Sequence, residues 1–250
     1  MTNFSYDLGD VIGTKATLGL IALQTDETLE HDLGRLIPRD EITLYTSRVP
    51  SGAEVTQESL GEMAGHLTMS ASLFPPAAPL DVVGYGCTSG TSVIGAMRIH
   101  ELIKQGCNTR HVTEPVSALI AACRALGVDQ LGFLSPYIAE VSETLRQTLR
   151  DAGIESPVFG SFNEGEEAKV ARIDTPSVVR AGIELGRDPA CQAVFLSCTN
   201  LRTLSAIPQI SAAISKPVLS SNLVLGWHMA HLAGLPVAEV MLRNNQDSGR

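Results

Sequence analysis

The stretch Asp81–Ser92, DVVGYGCTSGTS, decides the fold and marks a candidate site. Its apolar run ends in Gly86 and then Cys87, and a turn rich in hydroxyl side chains and glycine follows. Near the other end of the chain, Ala193–Asn200, AVFLSCTN, repeats the pattern and delivers Cys198. Both stretches are typical of a buried strand followed by Cys-Thr. We therefore predict that the two cysteines are facing thiols of one active site.

The rest of the chain alternates strand and helix signals, which indicates an α/β protein. Thr17–Leu23, TLGLIAL, is apolar and β-branched without alternation, as expected of a strand buried on both faces of a parallel sheet. The Cys-Thr motif occurs once in each half of the chain. We therefore predict two pseudo-symmetric lobes, each a parallel sheet flanked by helices, with the active site in the cleft between the strand C-termini.

Counting the predicted strands divides the chain into three parts. These are an N-terminal lobe of residues 17–112 and 216–250 carrying Cys87, a second lobe of residues 113–215 carrying Cys198, and an N-terminal arm of residues 1–16. The arm is expected to be loose or to wrap over a neighbour, and the protein is expected to be a homo-oligomer.

Three helix predictions lie close to the candidate site. Their ranges are Thr56–Leu73 with Thr56 as N-cap, about Ser92–Gln105 after the Cys87 turn, and Leu201–Ile214 after the Cys198 turn. The polar tail Asn244–Arg250 is expected to fray.

Composition excludes several classes of function. The net charge of −9 argues against nucleic acid and against an anionic membrane as partner. No apolar run approaches the roughly 18–20 residues that span a bilayer, and the N-terminus lacks a basic region followed by an apolar one. Five scattered cysteines without a CxxC pair or a Cys/His cluster favour neither a disulfide framework nor a metal site. We expect a cytoplasmic protein with no metal.

The position of each predicted thiol favours acid–base chemistry. A thiol at a strand-to-helix junction lies near the positive end of the helix dipole, which is expected to lower its pKa. Backbone amides and hydroxyls around Thr88 and Ser89 are expected to hold a substrate carboxylate and the enolate formed from it. Two such sites face to face suit removal of a proton from one face of a carbon and its replacement from the other. The remaining cysteines, Cys107, Cys123 and Cys191, are interpreted as small buried apolar residues.

Five stretches carry a family resemblance that runs from about Leu18 to Leu235. They are GYGCTSGT, SPYIAEV, ARIDTP, LSCTNLRTLSAIPQI and KPVLSSN. Together they resemble the aspartate/glutamate racemase superfamily, in its maleate isomerase and arylmalonate decarboxylase branch. The resemblance implies a cofactor-independent enzyme of two Rossmann-like lobes that holds a substrate carboxylate between them.

The resemblance also implies roles for single residues. Cys87 matches the first thiol, a nucleophile in maleate isomerases and an acid–base group in racemases, and Cys198 matches the second thiol on the opposite face. Thr88, Ser89 and Tyr137 match residues that bind substrate carboxylates, and Thr199 follows the second thiol as a further substrate-binding candidate. Arylmalonate decarboxylases have glycine where Cys87 stands, so decarboxylation is disfavoured.

Two carboxylates depart from the maleate isomerase pattern. Asp26 stands where those enzymes present an asparagine, and Glu167 or Glu166 replaces a second asparagine. A carboxylate at either position would repel the second carboxylate of maleate and would favour a small amino-acid-like substrate. The alternative is that Asp26 only caps its helix and that the glutamates face water.

The leading hypothesis is an isomerase that transfers a proton between two opposed thiols on a small carboxylate or amino-acid-like substrate. One alternative is a maleate cis–trans isomerase in which Cys87 is the covalent nucleophile. The other is a non-catalytic carboxylate sensor that retains the cleft.

Overall fold

A computed structural model describes residues 1–38, 40–77 and 79–242, and its framework is a pair of parallel four-stranded sheets. The first sheet has the strand order β2-β1-β3-β4. Its strands are β1 (Ala16–Leu23), β2 (Ile42–Val49), β3 (Leu80–Gly86) and β4 (Thr109–Thr113). Every residue of β1 is buried, because strands lie on both sides of it and helices cover its faces.

The second sheet repeats this arrangement with the order β6-β5-β7-β8. Its strands are β5 (Gln130–Ser135), β6 (Glu155–Ser161), β7 (Ala193–Leu196) and β8 (Val218–Ser220). In each sheet the first strand along the chain pairs with the second and the third, and the fourth pairs with the third. The predicted fold class, two pseudo-symmetric α/β lobes, is thereby confirmed.

Helices alternate with the strands along the described part of the chain. Those before β5 are α1 (Leu29–Leu36), α2 (Gln57–Glu62), α3 (Ala64–Ser72), α4 (Thr88–Ile94), α5 (Ala96–Gly106) and α6 (Pro115–Leu126). Those after β5 are α7 (Ala139–Asp151), α8 (Glu167–Val170), α9 (Thr175–Gly186), α10 (Ile207–Ile214), α11 (Ser221–Leu232) and α12 (Ala238–Met241). None of the described helices is long and apolar enough to cross a bilayer.

Two elements require a correction of the predicted boundaries at residues 113 and 216. Strand β8 pairs with β7, so Val218–Ser220 belongs to the second sheet and the return to the first lobe follows Ser220. Helix α6 packs against α4 and α11, so it covers the first lobe although its sequence was assigned to the second. Counting strands assigned β8 and α6 to the wrong lobes, because the lobe of an element depends on the strand or helix against which it packs.

The helices around the candidate site also differ from their predicted ranges. The predicted helix Thr56–Leu73 is two helices that meet at Met63, and Thr56 caps the first through a capping box with Ser59. After Cys87 the chain turns helical at once, at Thr88, and is interrupted at Gly95, whose φ of +90° favours glycine.

The helix predicted to follow the Cys198 turn begins later than expected. It starts at Ile207 rather than Leu201, so Cys198 lies in a loop and not at a helix N-terminus. The arm has neither helix nor strand before β1 and exposes apolar side chains such as Phe4 and Leu8. Homo-oligomerisation stays a prediction, and the tail Asn244–Arg250 lies outside the described residues.

Candidate active site

Cys87 lies at the C-terminal end of β3 and is the N-cap of α4. Its Sγ accepts a hydrogen bond of 3.1 Å from the backbone amide of Gly90. A Cβ at Gly90 would lie 2.8 Å from both Cys87 Sγ and the Tyr85 hydroxyl, so only glycine leaves room for the thiol there. Thr88 and Ser89 follow in the first turn of α4, and both are buried.

Cys198 follows β7 in a loop whose backbone is under strain. Its φ is +98°, a region that residues with a side chain rarely adopt. The backbone amide of Cys198 donates to Ser221 Oγ at 3.0 Å, and its Sγ accepts from the amide of Asn200 at 3.3 Å. These contacts hold the strained residue and aim its thiol inward, where it is 3 % exposed.

Two hydroxyls join the segments that carry the thiols. Ser221 Oγ accepts from Thr88 Oγ1 at 2.8 Å as well as from the amide of Cys198. Thr199 Oγ1 donates to the carbonyl oxygen of Gly86 at 3.2 Å. Thr88, beside Cys87, is thus bonded to the serine that also bonds Cys198, and Thr199, beside Cys198, is bonded to Gly86. The C-terminal ends of β3 and β7 therefore lie next to each other.

A hydrogen-bonded chain leads from Cys198 to a buried carboxylate. The Tyr137 hydroxyl donates to Glu167 Oε1 at 2.6 Å and lies 3.0 Å from Cys198 Sγ. The hydroxyl has one proton, so the thiol donates to Tyr137 while that proton is on the bond to Glu167, and the hydroxyl can donate to the sulfur when the thiol is ionised. Asn200 Nδ2 donates to the other oxygen, Glu167 Oε2, at 2.8 Å.

The first lobe fixes Glu167 from the opposite side. The amide of Glu167 donates to the carbonyl of Ala53 at 3.1 Å, and the amide of Val55 donates to Gly165 at 3.1 Å. These bonds cross between the lobes. Glu167 is therefore buried at 4 % exposure, whereas its neighbour Glu166 faces solvent and pairs with Lys169.

Asp26 lies in the loop after β1 and is a second buried carboxylate close to Glu167. Its Oδ1 accepts from the amides of Thr28 and Leu29, both at 2.8 Å, so it bonds the start of α1, although the N-cap residue of that helix is Thr28 rather than Asp26. Its Oδ2 is buried and has no hydrogen-bond partner. Arg48 secures the loop by donating to the carbonyls of Leu23 at 2.8 Å and Asp26 at 2.9 Å.

Burial governs the protonation of both thiols. It raises the pKa of Cys87 to about 12 and raises the pKa of Cys198 well above its ordinary value. Hydrogen bonds lower both values in part, but the charges of Glu167 and Asp26 raise them again. The expectation of a lowered pKa is wrong for the free protein, because desolvation outweighs the amide contacts and Cys198 has no helix behind it.

The carboxylates respond to burial in the same direction. Desolvation raises the pKa of Glu167 and of Asp26. Hydrogen bonds from Tyr137 and Asn200 oppose the shift at Glu167, and those from Thr28 and Leu29, with the Thr199 hydroxyl nearby, oppose it at Asp26. The charge of Asp26 also raises the pKa of Glu167. Within the described residues, no group of three His, Cys, Asp or Glu side chains is arranged to hold a metal ion.

The structure brings all eight predicted site residues into one region between the sheets. Sequence reasoning missed Asn200, which contacts Glu167 and Cys198, and Ser221, which bridges Thr88 and Cys198. The available signal was their place in the motifs LSCTN and KPVLSSN. Arg48, a weaker candidate for binding substrate carboxylate, is instead bonded to backbone carbonyls and to Glu30.

Comparison with known proteins places the chain in a family. Residues 100–242 match the family model described as arylmalonate decarboxylase. The chain belongs to the arylmalonate decarboxylase family. The matched residues include Cys198, Tyr137 and Glu167 but not Cys87, which lies before the matched range.

Relatives of this family member extend the similarity over most of the chain. The arylmalonate decarboxylase of Bordetella bronchiseptica is 26 % identical over 213 residues, covering 80 % of this chain and 86 % of its own. The maleate isomerase of Geobacillus stearothermophilus is 23 % identical over 218 residues, covering 82 % of this chain and 86 % of its own. The family prediction made from the motifs is confirmed.

A solved structure agrees with the two-lobed fold. The maleate isomerase Iso from Pseudomonas putida S16, as a cysteine-to-alanine variant with maleate, has a TM-score of 0.79 and 25 % identity. The similarity covers 89 % of this chain and 95 % of that one. The predicted enzyme class, an isomerase, agrees with these maleate isomerases.

Proposed function

We propose that this arylmalonate decarboxylase family member is a cofactor-independent isomerase that transfers a proton between the two faces of a small carboxylate substrate. Cys87 and Cys198 are the acid–base groups. The observation that carries the proposal is the junction at Ser221, which ties the two cysteine segments together from opposite lobes. A planar intermediate between the lobes would thus have one thiol on each face.

The chemistry needs one thiolate and one thiol at a time. The thiolate takes the α-proton, and the electrons of the broken C–H bond move into the carboxylate to give an enolate. The opposite thiol then donates its proton to the other face of the carbon, so the two cysteines exchange protonation states. In this proposal the first-turn amides of Thr88 and Ser89 and the Ser89 hydroxyl hold the carboxylate as negative charge grows on it; both residues lie in the first turn of α4.

The surroundings of each thiol assign the first direction of transfer. Cys198 is linked through Tyr137 to Glu167, whose negative charge favours the protonated thiol. Each thiol accepts one amide hydrogen bond, and the bond to Cys87, at 3.1 Å, is shorter than the bond to Cys198, at 3.3 Å. We therefore assign Cys87 as the base and Cys198 as the acid once substrate is bound, with the roles reversed after one turnover.

The experiment is a panel of small carboxylates, with α-amino acids and maleate among them, incubated with the enzyme in D₂O. Deuterium at the α-carbon together with inversion of configuration supports the proposal. Turnover of some substrate without deuterium incorporation contradicts it. A ligand that binds and protects the thiols with no chemical change in any substrate favours the sensor.

Maleate cis–trans isomerisation is the second candidate, and the maleate-bound relative favours it. In this reaction the Cys87 thiolate adds to one alkene carbon while the other carbon takes a proton from Cys198. After rotation about the resulting C–C single bond, Cys198 takes that proton back and the C–S bond breaks, which releases the trans alkene and regenerates the Cys87 thiolate. Two buried carboxylates, Asp26 and Glu167, oppose it because they repel a dianion. A succinyl adduct on Cys87 after incubation with maleate, detected by mass spectrometry, would favour this candidate over proton transfer.

A further inference from the structure

Asp26 Oδ2 is a buried carboxylate oxygen that has no hydrogen-bond partner among the described residues. Asp26 is 4 % exposed, and the amides of Thr28 and Leu29 both donate to Oδ1. These donors, at the start of α1, support the ionised form. A buried carboxylate oxygen without a donor is costly, and the cost is removed when a ligand brings one.

The loop that carries Asp26 packs against the segment that carries Cys198: Asn200 Oδ1 accepts from the amide of Glu27, and the Thr28 hydroxyl donates to the carbonyl of Asn200, both at 2.9 Å. The charge of Asp26 acts on Cys87, on Cys198 and on Glu167, so all four groups lie within electrostatic reach of one another. The Thr199 hydroxyl, beside the second thiol, is close enough to lower the pKa of Asp26. The carboxylate therefore enters the candidate active site from the first lobe.

The described side chains do not supply Oδ2 with a cation. Arg48, the nearby guanidinium, gives its hydrogen bonds to the carbonyls of Leu23 and Asp26 and to the carboxylate of Glu30. Glu167 differs from Asp26, because Tyr137 and Asn200 occupy both of its oxygens. Asp26 is thus the carboxylate with a vacant acceptor.

We propose that Asp26 Oδ2 recognises a positively charged nitrogen of the substrate. This inference rests on the proposed function only in assuming that the same cleft holds the substrate. A small carboxylate with a protonated amine presents its anion to the Cys87 turn and its cation to Asp26. A dicarboxylate would instead place a second negative charge against two buried carboxylates.

Cation binding here has a consequence for the thiols. The negative charges of Asp26 and Glu167 disfavour a thiolate, and a bound ammonium offsets them. The substrate would then promote ionisation of Cys87 when it binds. An unoccupied site would keep the thiols protonated and unreactive.

The test is a binding comparison between isosteres. Isothermal titration calorimetry measures 2-aminobutyrate against 2-methylbutyrate and 4-aminobutyrate against pentanoate, pairs that differ by an ammonium in place of a methyl group. We expect at least one amino member to bind tenfold or more tightly than its methyl isostere. Asp26→Asn should remove that preference and leave the affinity for the methyl isostere within twofold.

Two further variants keep the test decisive. Glu27→Gln, one residue away and exposed in an ion pair with Arg172, should retain the preference. If Asp26→Asn does not fold, Asp26→Ser retains an acceptor for the helix amides and removes the charge. No cationic probe binding better than its isostere, or an unchanged preference in the folded Asp26 variant, overturns the inference.

The outcomes separate this inference from the proposed function. Deuterium exchange at equal rates on carboxylates with and without an ammonium group would support the two-thiol reaction and rule out the cation site. Tighter binding of the amino members without exchange on any substrate would support the cation site and rule out the two-thiol reaction.

Discussion

Tyr137 and Cys198 are joined by a hydrogen bond: the hydroxyl oxygen lies 3.0 Å from Sγ, and the hydroxyl proton points to Glu167 Oε1. The negative charge of Glu167 therefore lies close to this thiol and favours its protonated form. Cys87 in the first lobe has no carboxylate bonded to its neighbouring tyrosine, because the Tyr85 hydroxyl donates to Met63 Sδ. Two cysteines with similar sequence surroundings therefore have different electrostatic surroundings.

Replacing Glu167 by Gln should make the thiols easier to ionise. The variant removes a negative charge that raises the pKa of both cysteines, so alkylation at pH 9 should become about three- to tenfold faster. Mass spectrometry of iodoacetamide-treated protein measures the rate at each cysteine. Glu166→Gln is the matched control, because Glu166 faces solvent. Equal or slower alkylation in Glu167→Gln would contradict this account.

Tyr137→Phe should slow proton transfer without unfolding the lobe. The change removes one donor to Glu167 and the hydrogen-bond partner of Cys198, interactions of about 1–3 kcal/mol, so exchange should fall about 10- to 100-fold. NMR of the α-proton in D₂O measures the rate. Tyr45→Phe, on half-buried β2, should exchange at the wild-type rate. An unaltered rate in Tyr137→Phe would remove the tyrosine from the mechanism.

Ser221→Ala should weaken the junction between the lobes. The variant leaves the amide of Cys198 and the hydroxyl of Thr88 without their shared acceptor, at a cost of about 1–3 kcal/mol in the free energy of unfolding. Urea titration measures this loss. In Ser92→Ala, where the hydroxyl bonds only within α4, the loss should be smaller. Equal stability of Ser221→Ala and wild type would show that the bridge is not stabilising.

His228 should make the protein sensitive to mild acid. Burial, together with smaller contributions from the neighbouring His231, His100 and His111, lowers its pKa from 6.5 to about 4. A base with a depressed pKa takes up its proton more readily in the unfolded state, so its contribution to stability is lost as pH falls from 6.5 towards 4.

A cycle of urea titrations at pH 7 and pH 5 isolates this contribution. Because His228 is partly exposed, we expect a loss of about 1–2 kcal/mol in the wild type relative to His228→Gln. Buried carboxylates such as Glu114 titrate in both proteins and cancel in the comparison. The same pH dependence in both proteins would be inconsistent with a neutral buried His228.

The sequence predicted the framework well because parallel strands buried on both faces leave a strong apolar signal. Thr17–Leu23 and Ala193–Ser197 differ from the observed strands by one residue each. The motif repeat also indicated that Cys87 and Cys198 would meet. What local pattern does not encode is the backbone at Cys198, where φ is +98° and hydrogen bonds from distant residues hold a loop in place of the predicted helix.

Protonation was the other property that sequence could not supply. The direction of the shift for Cys87 depends on how deeply the finished fold buries the thiol and on two carboxylates far from it in sequence, Asp26 and Glu167. Likewise, Asn200 and Ser221 acquire their roles only when the lobes come together. Local sequence motifs therefore predicted the position of the site, whereas tertiary contacts determine the protonation states of its residues.

The most direct test of the two-thiol reaction measures inversion and deuterium incorporation together, in Cys87→Ser and in Cys198→Ser, with the best substrate of the panel. The account predicts that each substitution abolishes both signals, while Cys107→Ser, a half-buried cysteine at the end of α5, keeps them. Full inversion with deuterium incorporation in either single variant would contradict it, because that thiol would then have no part in the proton transfer.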